Sequence, residues 1–118
     1  MNFRQLDVYQ TAVHFLPLAA AIADGLAPRY AGLADQLRRA SLSIPLNIAE
    51  GSGKSTGPDQ RRFYTMARGS AMECAAIIDA CAALLLVDKS RIDEADLLLV
   101  SAVRMLSKMC RVGPNPRA

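Results

Sequence analysis

The sequence predicts an all-α fold of four helices, and three observations carry that prediction. Apolar residues make up 52% of the chain and are mostly Ala, Leu, Ile, Val and Met, while aromatics are 5% and Trp is absent. That mixture favours helix over sheet. Glycine and proline clusters cut the 118 residues into four long segments. Inside those segments apolar residues recur at helical spacing, and no alternating strand pattern, internal repeat or low-complexity stretch occurs. A chain of this length forms one domain, residues 1–118, because a second would lack residues for its own core.

The first helix is expected over about residues 6–26, where Gly25-Leu26-Ala27-Pro28 ends it. The second spans about 32–52 and stops at Gly51-Ser52-Gly53. Its residues Leu33, Leu37, Ala40, Ile44 and Ile48 fall within about 80° of one another, which defines a core stripe. The third spans about 58–87, with Thr56 or Gly57 as cap and Pro58 in the first turn, where proline is favoured. Its broad face carries Phe63, Met66, Ala67, Ser70, Cys74, Ile77, Ile78, Cys81, Leu84 and Leu85. The fourth spans about 90–111, starting at Ser90 with Asp93 in a capping-box spacing. Gly113-Pro114 stops it, and the tail 112–118 is expected to be flexible. Pro17 and Pro45 fall inside the first two helices and are expected to kink rather than break them, since the stripe of the second keeps phase through Pro45.

The apolar surface exceeds what one bundle buries. The first helix has two apolar sides, Tyr9, Val13, Leu16 and Ala20 on one, Val8, Phe15, Ala19 and Ile22 on the other. The third carries Met72, Ala76, Ala80 and Ala83 behind its core face, with Asp79 its only charge from Cys74 to Val87. A helix apolar on all sides is buried on all sides. A second copy of the chain would bury these faces, so a homo-oligomer is expected.

Several function classes fall away. The longest stretch without Asp, Glu, Lys or Arg runs from Val8 to Ala23, short of the roughly 18 apolar residues a membrane span needs. No basic region followed by an apolar one reads as a signal peptide. The cysteines, Cys74, Cys81 and Cys110, are odd in number and contain no CxxC, which fits reduced thiols in a cytoplasmic protein. His14, the sole histidine, shares the polar side of its helix with Asp7 and Gln10 and reads as a solvated residue. No zinc set, di-iron motif, nucleophile elbow or cofactor-binding pattern is present, so no catalytic or metal residue is assigned and no enzyme is expected. Gly53-Lys54-Ser55 supplies the end of a phosphate loop, but Ile48 stands where its first glycine belongs.

Two constellations remain. Gln36, Ser43, Asn47 and Glu50 form a polar stripe beside the core stripe, with Arg39 flanking it and Ser70 and Glu73 on the third helix. Placed there, the stripe is expected to be at least half buried, and buried polar groups must pair. A structural network between helices or subunits is favoured over an acid/base or metal-binding pair of Glu50 and Glu73. The second constellation is basic. Arg104, Lys108 and Arg111 lie within about 60° of one another, and Arg61 and Arg68 form a shorter stripe on the third helix. No acid follows Asp96. Such stripes are placed to contact nucleic-acid phosphates, or are a solvated face with cations near a helix C-terminus. The net charge of +3 permits either, and a protein-interaction scaffold is the alternative to RNA association.

Residues Tyr30-Ala31-Gly32-Leu33, Gln36-Leu37-Arg38-Arg39-Ala40, Ser43-Ile44-Pro45-Leu46-Asn47-Ile48-Ala49-Glu50-Gly51 and Phe63 through Glu73 resemble the four-helix-bundle family of the 23S ribosomal RNA intervening-sequence proteins. Phe3 through Gln10 is similar too, and the SI-x-NIAEG stretch is the most specific part. The resemblance implies a bacterial cytoplasmic protein of four antiparallel, up-down helices, assembled as a ring-like homopentamer. Some members are encoded within intervening sequences of ribosomal RNA genes. A related branch, the accessory variability protein of diversity-generating retroelements, is a basic pentamer that binds nucleic acid and a reverse transcriptase. No enzymatic activity follows from the resemblance. Gln36, Ser43, Asn47, Glu50, Gly51, Ser70 and Glu73 match its motif residues and support the architectural reading of the polar stripe.

Overall fold

A computed structural model describes residues 2–111, all but the first residue and the last seven. The expected tail 112–118, and the Gly113-Pro114 stop within it, lie outside these residues. The chain opens with a short 3-10 turn, Phe3–Gln5, held by Asn2, whose side chain accepts from the Arg4 amide at 3.0 Å. Four helices follow: α1 (Asp7–Gly25), α2 (Ala31–Ser52), α3 (Gly57–Ala83) and α4 (Lys89–Met109). A second 3-10 turn, Pro28–Tyr30, leads into α2. Among the described residues there is no strand. Pro17 and Pro45 each sit inside one unbroken helix.

The helix starts follow from their caps. Thr56 caps α3 by accepting from the Asp59 amide at 3.3 Å, and Pro58 occupies its first turn, where the missing amide proton costs nothing. The start of α4 differs from the expected Ser90. Asp88 is the cap, and its carboxylate accepts from the Arg91 amide at 3.3 Å. Aspartate caps at least as well as serine, and an Asp88 cap completes one further residue of helix.

α3 ends at Ala83, short of the expected Val87. The Leu86 amide reaches back to the Cys81 carbonyl at 2.9 Å, closing a Schellman turn with Leu85 in the left-handed region at φ 56°. Leu84 and Leu85 are therefore outside the core they were expected to join, whereas Leu86 and Val87 pack against it.

α1 packs on α2, α2 on α3, α3 on α4 and α4 on α1, so the helices close around one core in a body of 52 × 27 × 22 Å. Phe15, Ile22, Leu37, Ile44, Ile48, Ile78, Leu99 and Leu106 are its largest fully buried side chains. On α3 the buried line runs through Tyr64, Ala67, Ala71, Cys74, Ile77, Ile78 and Cys81. Phe63 is half-buried and Met66 exposed, contrary to the expected face. Tyr64 turns inward because its hydroxyl finds Ser52 Oγ at 3.3 Å, while the Phe63 ring lies under the Lys54 and Arg62 cations. On α2, Ala34, Ser41 and Pro45 join the stripe and Leu33 is half-buried. Ser41, the one buried polar side chain among the described residues, donates to the Arg38 carbonyl at 3.0 Å. Cys74 and Cys81 are buried free thiols. Burial, aided by neighbouring Glu73, pushes the Cys74 thiol up to about 12, and burial raises Cys81 as well.

Candidate nucleic-acid interface

Five basic side chains were singled out in the sequence, and the structure places two on the first half of α3 and three along the second half of α4 and just past its end. Thr65 Oγ1 donates to Cys110 Sγ at 3.4 Å, tying the first half of α3 to the end of α4. Arg61 and Arg68 lie within about one turn of Thr65, and Lys108 and Arg111 within one turn of Cys110. Arg104 lines a groove between α3 and α4 together with Met72. Arg61 folds back over the start of α3, where its guanidinium lies 3.0 Å from the position a Cβ on Gly57 would take. Arg104, Lys108 and Arg111 are exposed, and Arg61 and Arg68 half-buried.

Their charges are uncommitted. The ion pairs among the described residues use Arg38, Lys54, Lys89 and Arg91, and none uses the five. The Arg38 guanidinium is raised above its ordinary value chiefly by its hydrogen bond to Asp24, and the Lys89 amine by its bond to Asp93. Two acids stand near these cations, at different edges of α4. Asp79 lines the groove with Arg104, and Asp7 shares a shallow depression with Lys108.

The polar stripe assembles only in part. Asn47 Nδ2 donates to the Ser43 carbonyl and to Ser43 Oγ, both at 2.9 Å, and Ser70 Oγ donates to Ser43 Oγ at 2.9 Å. This three-residue cluster joins α2 to α3. Gln36 and Glu50 are exposed, contrary to the expected half-burial, as are the flanking Arg39 and Glu73; Arg39 and Glu50 stand about 140–160° from Leu37 around α2, on its outer side. Glu50 pairs with Lys54 at 3.4 Å. Glu50 and Glu73 do not meet: Gly51 packs on Tyr64, nine residues from Glu73, or about 13 Å of helix. Among the described residues no three His, Cys, Asp or Glu side chains group as metal ligands.

The sequence reading passed over the exposed Leu42, Leu46, Leu97 and Val100. Their signal was available: Leu42 and Leu46 stand about 140–180° from the core residue Leu37. Leu42 lines the α1–α2 seam with Leu16 and Ala20, and Val100 the α3–α4 groove with Met72.

Four helices around one core, with exposed basic side chains on α3 and α4 and two apolar strips outside it, define an all-helical bundle protein. Residues 4–108 match the profile of the 23S rRNA-intervening sequence protein family, and the chain belongs to that family. Comparison with curated proteins found no match. No helix among the described residues is long and apolar enough to cross a membrane.

Proposed function

We propose that this protein is a non-enzymatic, oligomeric bundle of a bacterial cytoplasm that associates with RNA through Arg61, Arg68, Arg104, Lys108 and Arg111. The observation that carries the reading is that these five cations, on the neighbouring helices α3 and α4, stand outside every ion pair among the described residues. Unpaired cations on a ridged surface favour phosphate over any single base, and of the aromatics between Arg61 and Arg68, Tyr64 is buried and Phe63 is half-buried against the Lys54 and Arg62 cations.

Within this reading the bundle is antiparallel and up-down. Support comes from the order of contacts. Ser43 meets Ser70 while the later Ser52 meets the earlier Tyr64, and Asp24 reaches Arg38 while the earlier Leu16 and Ala20 sit beside Leu42. The assembly is a ring-like homo-oligomer, a pentamer by likeness to the family, which repeats the basic side chains of α3 and α4 around its circumference.

The test is filter binding of bulk transfer RNA. Affinity should fall linearly in log units with log salt, by roughly 0.7–0.9 per phosphate contacted. Lys108→Glu with Arg111→Glu should lower affinity at least tenfold and flatten the slope, with the helical circular-dichroism spectrum and oligomer mass unchanged. Absence of retention at about 50 mM salt would overturn the reading in favour of a protein-interaction scaffold, for example one docking a reverse transcriptase.

A further inference from the structure

We infer that the α3–α4 groove of one copy receives the outer stripe of α2 from the next copy, held by Arg39 against Asp79 and Glu50 against Arg68. The inference rests on the self-assembly proposed above and names the two surfaces that meet.

Both surfaces are open and apolar at their centres. The groove, about 370 Å³, is lined by Met72, Ala75, Ala76, Val100 and Val103, with Asp79 and Arg104 at its rim. Met72 is 56% exposed and Val100 49%. On α2, Leu42 is 50% and Leu46 58% exposed. Exposed aliphatic strips of this kind mark contact surfaces.

The charges decide the pairing. On α2 the outward series is Arg39, Leu42, Leu46, Glu50; on α3 it is Asp79, Ala76, Met72, Arg68. Both step by three, four and four residues, and each falls within about 80° of its helix. Both therefore span about 16 Å. Laid head to tail, a cation, two leucines and an acid meet an acid, a small residue, a methionine and a cation. Every end charge meets its opposite, and Leu42 falls over the gap at Ala76. In the reverse direction each end would bring like charges together. Within one chain Arg39 and Asp79 are in no ion pair among the described residues, and Glu50 is tied only to Lys54 in an exposed pair that exchanges at little cost.

The symmetry follows. Leu42 belongs to the α1–α2 seam and Met72 to the α3–α4 groove, which are opposite edges of the closed four-helix ring. A contact between two different patches is head-to-tail rather than a two-fold dimer, and it builds a ring where its rotation closes. Arg68 and Arg104 fall in or beside this contact, so in the assembly RNA is left to Arg61, Lys108 and Arg111, which lie outside it.

Charge reversal tests the pairing by mass measured in light scattering, with circular dichroism as a check on folding. The wild type should run as an oligomer. Arg39→Asp and Asp79→Arg should each move it toward the monomer, with self-association weakened at least tenfold. The double variant, in which every contact is again complementary, should recover the oligomer. An oligomeric wild type whose mass neither single variant changes overturns the pairing but leaves self-assembly standing, as does a double variant no better than the singles. A monomeric wild type overturns both.

Discussion

Gly51 shows how little room one position leaves. A Cβ there would stand 2.7 Å from Tyr64 Cε1 and 3.1 Å from Phe63 Cβ. The Tyr64 ring cannot retreat, since it is buried and its hydroxyl is bonded to Ser52. Gly51→Ala should therefore destabilise the fold by about 1–3 kcal/mol, read as a lower midpoint in urea with an unchanged slope. An unchanged midpoint would mean that α2 and α3 can separate without loss. In the sequence this glycine reads as punctuation ending a helix. It lies inside α2 instead, one residue before its end, and marks a close helix approach. The same ambiguity covers the polar stripe. Spacing placed Ser43, Asn47 and Ser70 together correctly, but nothing in one helix's pattern states how far its buried arc is rotated. Glu50 consequently fell on the wrong side of the boundary.

At the scale of elements, starts were more legible than ends. Thr56 and Pro58 announce α3 by chemistry that acts within one turn, whereas the cap of α4 is Asp88, not the Ser90 its spacing to Asp93 suggested. The end of α3 lacks such a mark. Its left-handed position is held by Leu85, where glycine is the usual occupant, and the run Leu84-Leu85-Leu86-Val87 continues the apolar pattern past the turn. The turn forms because Leu86 gains a packed position against the core and its amide satisfies the Cys81 carbonyl. Leu85 carries the strain, and at 89% exposure its side chain gains nothing in return within the chain. Leu85→Gly should accordingly stabilise the protein by about 0.5–1 kcal/mol, the left-handed penalty of an L-residue less the added freedom of glycine in the unfolded chain. Calorimetry would show a raised Tm. A lowered Tm would mean that Leu85 is covered by another molecule in solution, so the measurement belongs at several protein concentrations.

For the whole molecule, the composition foretold a surplus of apolar surface, and the surplus is where Leu42, Leu46, Met72, Leu97 and Val100 stand exposed. Sequence periodicity could locate it on the backs of α1 and α3; it could not show α2 contributing, because Leu42 and Leu46 are isolated apolar residues among Arg39, Ser43 and Glu50 until α1 is packed beside them. If copies of the chain cover these strips, folding and assembly share one equilibrium, and the folded side gains by mass action as concentration rises. Each tenfold increase in protein should add on the order of 1 kcal/mol per chain, which for a domain of this size is roughly 4 °C in Tm. The wild type should show that slope across two decades of concentration. Arg39→Asp should flatten it while keeping the Tm of the dilute wild type, since Arg39 is exposed and outside every ion pair among the described residues. A wild-type Tm independent of concentration would place the stability of this bundle entirely in its own core, and the exposed strips would then need a different partner to account for them.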